Sequence, residues 1–502
     1  MAGNASIRER VKKPPAPTMI ESYYKPGLAR AFRYHFGPEI WLHLAHCQML
    51  RRQRIIGDAD ARRILAALLD LHEAGPEALK VDHALEDMYT YVERYLTATL
   101  GADAGGRLHT GRSRNDLHVT TWRMALRALM LDVMRSLSAL RRAVLTLARD
   151  HAETVMPGYT HWQHAQPVTL GYYLLAFADH LARDFARCEA ALRRTNRCPL
   201  GAGALATTAF PLDRESTAAA LGFEGLVEVA YDAVANRDDA HEAISALAVL
   251  MTGLSRLATD LQAWSTYEYG FIELDDAHCS VSSIMPQKKN PAALEHIKAA
   301  CAMVTGGLTA TLSASKNTAF ADVSDGVSAL NEPVMVAAER TRRVLDLCAD
   351  VLGAITVDAA RMRRFAEQGY GTATELADVI VRESGMSFRM AHNIVASVVA
   401  EAIGAGRAAP EITAADLDQA AQRLFGQRLG LSAEAVRAAL NPAENIRRRT
   451  LTGGPAPATM QDMLDRRMAA LAVDENAVAR TAELLDIARD NVFAEARALL
   501  QT

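Results

Sequence analysis

Three long stretches of the chain carry apolar residues at spacings of three and four, and this pattern strongly limits how the chain can fold. The stretches run over residues 130–147, 170–192 and 247–264. Such spacing places the apolar side chains on one face of an α-helix, which must then pack against other helices. Arg256 and Asp260 in the third stretch favour a protein bundle over a lipid environment. Because the stripes are longer than an average globular helix, the sequence predicts a bundle of long helices.

The composition agrees with a helical chain. Only 6% of the residues are aromatic, and 30 glycines and 17 prolines occur among 502 residues, which favours helices over sandwiches or propellers. We find no run that we would assign to a strand, so the predicted fold class is all-α. The predicted division is a mobile arm over 1–20, an N-terminal helical domain over 21–114, the long-helix bundle over 115–362 and a small C-terminal helical domain over 363–502.

Charge and cysteine usage exclude several classes of protein. The 55 basic and 59 acidic side chains give a net charge of −4, so no field of one sign favours nucleic acid or a membrane surface as partner. The six cysteines are scattered without a C-x-x-C pair, which predicts reduced thiols rather than disulfides or a zinc site. We see neither a signal-peptide run nor a charge-free apolar stretch of membrane-spanning length. We therefore expect a cytoplasmic protein.

Three polar blocks interrupt the helical pattern. The first block is "GGRLHTGRSRNDLH" (105–118), the second is "MPGYTHWQHAQPVT" (156–169) and the third is "SSIMPQKKNP" (282–291). Each lies near the end of a predicted helix, where free N–H groups and the helix dipole favour anions. Taken singly, they have structural explanations: a helix cap at Asp116, a buried histidine at 161, or a solvated lysine pair. Together they combine hydroxyl and amide donors with cations, as a dicarboxylate site requires.

The three blocks carry a family resemblance. The third block resembles the signature loop of the fumarase/aspartase superfamily, and the first two resemble the forms found in argininosuccinate lyases. "EDMYTYVERYL" (86–96), "GYGTATELADVIVRES" and "GGPAP" match as well, so the resemblance extends from about residue 40 to residue 470. It implies an enzyme that releases fumarate from a succinyl group without a cofactor. It also implies a three-domain homotetramer with a twenty-helix core, in which three subunits build each active site.

The resemblance also implies roles for residues of the third block. Ser282 matches the residue that takes a proton from the β-carbon of the substrate, which a serine does only if its oxyanion is stabilised. Lys288 and Asn290 match residues that stabilise the resulting aci-carboxylate. Ser283 and Met285 match substrate contacts on a lid that closes and expels water.

The other blocks supply the implied substrate contacts. The matches to carboxylate ligands in the first block are Ser113, Arg114 and Asn115. In the second block Thr160 matches a contact to a carboxylate or the leaving group, and His161 matches a general acid. Glu295 matches the carboxylate that pairs with this histidine and raises its proton affinity. Whether His161 is required stays open, since a departing amine can take its proton from water.

The departures from the family pattern concern the half of the site that recognises the amine. The "WGGRF" and "FNASI" elements are absent, and residues 318–333 replace "TYNRDLQEDKEP". Tyr89 stands in place of the usual histidine, Val281 in place of a glycine and Ala292 in place of an acidic residue. We therefore expect an N-substituted aspartate whose amine is not arginine, as in the lyase that acts on ethylenediamine-N,N′-disuccinate (EDDS). The candidates for contacts to the amine half, each of which has a solvated surface charge as its alternative, are Lys25, Arg30, Arg33 and His118.

Two alternatives to this hypothesis are retained. The first is argininosuccinate lyase proper, with divergent contacts to the arginine half. The second is an inactive structural protein of the crystallin kind, which the presence of Ser282, Lys288, Asn290, Thr160 and His161 argues against. A metal or nucleotide enzyme is disfavoured because neither H-E-x-x-H nor a P-loop occurs in the sequence.

Overall fold

A computed structural model describes residues 13–501, with the side chains of 326–330 excepted. Most of the predicted N-terminal arm falls on residues 1–12, which lie outside the described residues. The N-terminal helices are α1 (Pro17–Met19), α2 (Lys25–Tyr34), α3 (Phe36–Arg52), α4 (Asp58–Ala74), α5 (Met88–Leu100) and α6 (Ala102–Gly106). A π-helical turn over Ile20–Tyr24 joins α1 to α2. The first hydrophobic core forms where α3 packs against α4 and α4 against α5, with Ile40, Leu65 and Val92 buried.

The middle of the chain forms the predicted bundle. Its helices are α7 (Arg114–Asp150), α8 (Leu170–Thr195), α9 (Arg214–Ala220), α10 (Ala230–Ala235), α11 (Asp238–Trp264), α12 (Ala292–Ser315) and α13 (Ser324–Ala354). Five of them, α7, α8, α11, α12 and α13, are long and pack on one another around the largest core. All three apolar stripes lie on these helices, and their buried residues include Leu137, Leu181 and Leu254. The predicted all-α fold with a central bundle of long helices is confirmed.

Helix α7 separates the first polar block from the second. Its 37 residues span about 55 Å at 1.5 Å per residue. The helix begins with a capping box, in which the backbone N–H of Ser113 donates to Oδ1 of Asp116 at 2.9 Å. Beyond its far end lies an antiparallel hairpin of β1 (Val155–Thr160) and β2 (Gln163–Thr169). Our expectation of no strands was wrong at this hairpin, because its alternation is short and broken by Pro157 and Pro167.

Four strands of two residues each complete the described secondary structure around the bundle. They are β3 (Ile272–Glu273), β4 (Ser280–Val281), β5 (Lys289–Asn290) and β6 (Thr356–Val357). β3 pairs with β6, and β4 pairs with β5. The second of these ladders closes the base of the third polar block, which is therefore a hairpin loop rather than a free linker.

The last part of the chain forms a third core and one long helix. Its helices are α14 (Ala359–Gln368), α15 (Ala373–Ser384), α16 (Phe388–Gly404), α17 (Ala414–Phe425), α18 (Ala433–Leu440), α19 (Pro442–Arg447) and α20 (Pro457–Leu499). Helices α15 to α18 bury Leu376, Val398 and Leu417 in the third core. The 43-residue α20 leaves that core and packs on α7 and α3. The predicted C-terminal unit over 363–502 therefore consists of a compact core up to α19 and a helix that belongs with the other two cores.

Two central helices, α11 and α12, are long and apolar enough to cross a membrane by length and composition alone. In α11, 61% of the apolar segment is buried inside the chain, as expected of a core helix. In α12 only 28% of it is buried. The apolar surface of α12 is consequently left uncovered by the rest of its own chain.

The cysteines are free thiols, as the sequence predicts. Five are buried, and Cys279 is half-buried. Burial raises the pKa of all six thiols.

Candidate active site

A cavity of about 450 Å³ lies where the N-terminal helices meet the start of α7. Arg114 and Asn115 of the first block line it, together with Glu86 and Asp87 from the segment that leads into α5. The rest of the lining includes residues of α2, α3 and the segment before α13, in which Asp322 lies. The cavity therefore combines charged groups from several separate parts of one chain.

Arg114 is held in this cavity by two carboxylates. Its Nη1 lies 2.9 Å from Oε2 of Glu86 and 3.1 Å from Oδ2 of Asp87. Burial opposes ionisation of Asp87, but His118 nearby, hydrogen bonds from Thr90 and the charge of Arg114 outweigh it and lower the pKa of this carboxyl. Asp87 is thus a stable carboxylate, and Arg114 is a cation that an incoming anion could recruit.

The other two residues of the first block are fixed by the helix start. The N–H of Asn115 donates to Oγ of Ser113 at 3.3 Å, and Nδ2 of Asn115 donates to the carbonyl of Ala204 at 3.2 Å. Asp116, which we had predicted only as a cap, is completely buried and has a wider role. Its Oδ2 accepts hydrogen bonds from the N–H groups of Gly201 and Gly203. It therefore holds the loop that contains these two glycines next to the first block.

The second block places its functional candidates at the tip of the β1–β2 hairpin. Thr160, His161 and Trp162 are exposed there. His161 has φ 53° and Trp162 has φ 60°, so both central residues of the two-residue turn adopt the left-handed conformation that usually selects Asn or Gly. The side chains of Thr160 and His161 have no hydrogen-bond partner among the described residues. A strained and exposed turn of this kind is typical of a functional segment.

The third block is an exposed loop with an organised serine at its start. Oγ of Ser282 accepts the backbone N–H of Met285 at 3.0 Å and that of Ile284 at 3.3 Å. These two donors point at the atom that would carry the negative charge of a serine oxyanion. Ile284 is 83% exposed, so the loop presents apolar surface to solvent in the single chain.

The two adjacent lysines of the loop differ in their surroundings. Nζ of Lys289 lies 2.7 Å from Asp276 and 3.0 Å from Glu273, and the hydrogen bond to Asp276 is the main cause that raises its pKa. Lys288 is exposed and has no ion-pair partner within the described part of the chain. Glu295, in the first turn of α12, is likewise exposed and unpaired within residues 13–501. The implied pair of Glu295 and His161 is therefore not formed within one chain.

Within one chain the structure brings together only part of the predicted site. The first block lines the cavity, whereas residues of the second and third blocks do not. Helix α12 begins at the third block and ends at Ser315, whose Oγ lies 2.7 Å from Nε2 of His241 near the start of α11. The third block therefore lies at the other end of the bundle, where the β1–β2 hairpin is found. The length of α7 thus keeps Ser113 far from both Thr160 and Ser282.

The candidates for contacts to the amine half divide into two groups. Arg30 and His118 line the cavity, and Arg30 also pairs with Glu332 at 3.0 Å. Lys25 and Arg33 do not line it, and they form ion pairs with Glu21 and Glu339.

Sequence reasoning missed several acidic residues that line the cavity. They are Glu39, Glu86, Asp87 and Asp322. Glu86 and Asp87 open the "EDMYT" motif, so a closer reading of that motif would have identified them. Glu39 lies in an ordinary helical stretch with no such signal. Among the described residues, no group of three or more His, Cys, Asp and Glu side chains has an arrangement suited to a metal ion.

Comparison with known families gives two matches along the chain. Residues 41–306 match a family described as "Lyase", and residues 370–447 match one described as "Argininosuccinate lyase C-terminal". The argininosuccinate lyase 1 of Shouchella clausii is 37% identical over 479 residues, which cover 95% of this chain and 96% of that protein. The argininosuccinate lyase of Methanosarcina mazei is 40% identical over 466 residues, with coverage of 92% and 93%.

Solved structures agree with these matches. EDDS lyase in complex with formate superposes with a TM-score of 0.87 at 34% identity, covering 98% of this chain and 97% of that one. A class II fumarase from Schistosoma mansoni has a TM-score of 0.67 at 16% identity, covering 82% and 90%. The second likeness concerns the fold alone.

Proposed function

The chain belongs to the argininosuccinate lyase family of the fumarase/aspartase superfamily and is a carbon–nitrogen lyase; from this premise we propose that it reversibly cleaves an N-substituted L-aspartate into fumarate and an amine. The observation that carries this proposal is the environment of Ser282. Two backbone N–H groups donate to its Oγ, and such donors stabilise the oxyanion that removes a proton from carbon.

The remaining steps of an anti β-elimination are assigned to residues of all three blocks. Loss of the β-proton leaves a doubly charged aci-carboxylate, which the ammonium of Lys288 and the amide of Asn290 would stabilise. Ser113, Arg114 and Asn115 would hold the substrate carboxylates, with Arg114 exchanging part of its pairing to Glu86 for the substrate. Thr160, His161, Ser283 and Met285 would complete the contacts once the loop closes, with Glu295 orienting His161.

Such a site requires more than one subunit, because α7 separates the blocks within a chain. The uncovered apolar surface of α12 supports assembly through the central bundle: Met303 is 61% exposed and Leu312 is 47% exposed. We propose a homotetramer in which the five long helices of each chain build a twenty-helix core and each active site takes residues from three subunits. We also propose that the enzyme is cytoplasmic and works without a cofactor.

For the amine half, an aminopolycarboxylate such as EDDS is the first candidate. Its support is the rebuilt sequence around the amine half and the 34% identity to EDDS lyase over nearly the whole chain. Argininosuccinate is the second candidate, and the identity of 37–41% to several argininosuccinate lyases favours it. If the protein is instead an inactive structural protein, neither substrate should be cleaved.

The test follows the ultraviolet absorbance of fumarate after the protein is mixed with EDDS or with argininosuccinate, while mass spectrometry identifies the amine. We expect fumarate from at least one substrate and a loss of about 100-fold or more in Ser282→Ala, since a positioned base contributes that much. Ser280→Ala, which alters an exposed serine two residues earlier, serves as the matched control. A Ser282→Ala variant as active as the parent would remove the proposed base, and a parent that releases no fumarate would favour the structural alternative.

A further inference from the structure

Glu39 occupies an unusual position for a carboxyl group. It lies in the first turn of α3 and is 2% exposed, yet it lines the cavity beside the first block. A carboxyl group this deep in a protein needs partners that hold it and a reason to be there.

A chain of hydrogen bonds fixes one of its oxygens. Nη1 of Arg112 lies 3.0 Å from Nδ1 of His43, and Nε2 of His43 lies 3.3 Å from Oε1 of Glu39. A guanidinium only donates, so Nδ1 of His43 must accept and its proton resides on Nε2, from which it is donated to Glu39. All three side chains are at least nine-tenths buried. The second oxygen of Glu39 has no hydrogen-bond partner among the described residues and remains available to a ligand in the cavity.

The charged neighbours of Glu39 come from the segment before α5, which holds Asp87, and the segment before α7, which holds Arg112. Burial and the carboxylate of Asp87 raise the pKa of Glu39 to about 8, against the opposing charge of Arg112. The histidines closest along the chain, His35 at the N-cap of α3 and His43 within it, add little positive charge, because burial lowers the pKa of both. Asp87 itself has a lowered pKa. The pKa values of two carboxyl groups in one cavity are thus shifted in opposite directions, which is the usual sign of an acid and a fixed anion.

We propose that Glu39 exchanges the proton of the leaving nitrogen in the reaction of this site. During elimination the C–N bond breaks, its electron pair moves to nitrogen, and the carboxyl O–H of Glu39 gives its proton to that nitrogen. During addition the neutral amine attacks fumarate, and the Glu39 carboxylate takes the proton that the nitrogen loses as the C–N bond forms, which reverses the elimination step. His43 and Arg112 position the carboxyl group. The inference rests on the proposed function, and it assigns to Glu39 the proton transfer that the family resemblance left open at His161.

Glu39→Gln tests this assignment, because the amide keeps the shape and accepts from His43 but transfers no proton. For a substrate that releases a basic alkylamine, kcat should fall about 100-fold with little change in KM. For an N-aryl aspartate, whose leaving aniline needs less protonation, the fall should be only a few-fold. The decline of kcat/KM above pH 8 in the parent should disappear in the variant. Glu73→Gln, an exposed glutamate on α4, is the matched control.

The outcomes separate the inference from the function on which it rests. An active parent with an equally active Glu39→Gln variant, or with an equal loss for both leaving groups, overturns the role of Glu39 alone. A parent that releases no fumarate from any N-substituted aspartate overturns the proposed function and this inference with it. Circular dichroism checks folding. If Glu39→Gln does not fold, Glu39→Asp keeps the acid but withdraws it, so it should retain the alkaline decline at a lower kcat, and a parental kcat for the alkylamine substrate contradicts the proposal.

Discussion

Gly203 donates its backbone N–H to Oδ2 of Asp116 at 2.9 Å. Gly201 donates to the same oxygen at 3.0 Å, and Oδ1 accepts the N–H of Ser113. A single buried carboxylate therefore ties the start of α7 to a loop about 85 residues later in the chain. A Cβ at position 203 would approach the carbonyl oxygen of Thr207 to 2.8 Å, and φ there is +62°, so the loop also depends on glycine at this point.

Asp116→Asn should lower the free energy of unfolding by about 2–4 kcal/mol, because an amide has one oxygen for three N–H donors and turns its own donor towards them. Urea unfolding measures the change. Asp103→Asn is the control, since the Asp103 side chain is 85% exposed in its ion pair with Arg107 and should contribute less than about 1 kcal/mol. Equal stability losses in the two variants would contradict the anchoring role of Asp116.

His161→Asn separates the conformation of the hairpin tip from its chemistry. Asparagine tolerates the left-handed region better than histidine, so thermal stability should stay level or rise slightly. Fumarate release should fall about 10- to 100-fold, equivalent to a lost hydrogen bond to a charged group. Lys80→Asn relieves a similar conformation (φ 47°) away from the polar blocks and should leave the rate unchanged. An unimpaired His161→Asn variant would show that this side chain makes no contact in the reaction.

Met303→Glu tests the assembly through α12. A charge on this apolar surface should prevent association of the central bundles, which light scattering after gel filtration would detect as a lower mass. Activity should be lost with assembly, since one chain does not bring the polar blocks together. Leu424→Glu introduces the same charge at an exposed leucine of α17 and should keep both mass and activity. A monomeric Met303→Glu protein with full activity would refute a shared site.

Because histidines are buried at the first core, we expect the free energy of unfolding to fall in acid. Burial and Arg112 lower the pKa of His43 and His46 far below its ordinary value, and burial lowers the pKa of His35 to about 4. Below pH 6.5 the unfolded chain binds protons that the folded chain does not, so stability is full above pH 6.5 and falls as the pH drops towards 4.

His46→Gln should reduce this dependence by up to about 1.4 kcal/mol per pH unit, the value for one proton. The pKa of Glu39 is raised, so its protonation changes the free energy of unfolding in the opposite direction. The slope of the variant is therefore compared with that of the parent, and absolute slopes are not interpreted. Urea midpoints at pH 7.5, 6.0 and 5.0 measure the slopes, with His392→Gln at an exposed position of α16 as control. Identical slopes in parent and His46→Gln would remove His46 from the account.

The sequence predicted those parts of the fold that follow from periodicity. The three apolar stripes identified long helices, and they lie on α7, α8 and α11. A helical C-terminal domain was also expected, but the return of α20 to the first core was not. That contact buries Val492 and Phe493 against residues more than 400 positions earlier, and local spacing carries no information about such pairing.

The candidate site was predictable to a similar degree. Recognisable blocks marked Ser282, Lys288 and the first-block residues, because their chemistry depends on residue types in a fixed local order. Glu39 and its hydrogen bond to His43 were not predicted, since a carboxyl group and a histidine one turn apart are ordinary on a helix. Only the burial of that turn beside a cavity distinguishes them.

The burial of the cysteines has a practical consequence for observing the loop of the third block. Thiols with a raised pKa and little solvent exposure react slowly with maleimides and iodoacetamide. The parent protein should therefore show little background labelling. With Cys279 replaced by serine, a cysteine introduced at the exposed Gln287 would be the fastest thiol to react among the described residues. A fluorophore at that position would report opening and closure of the loop in real time.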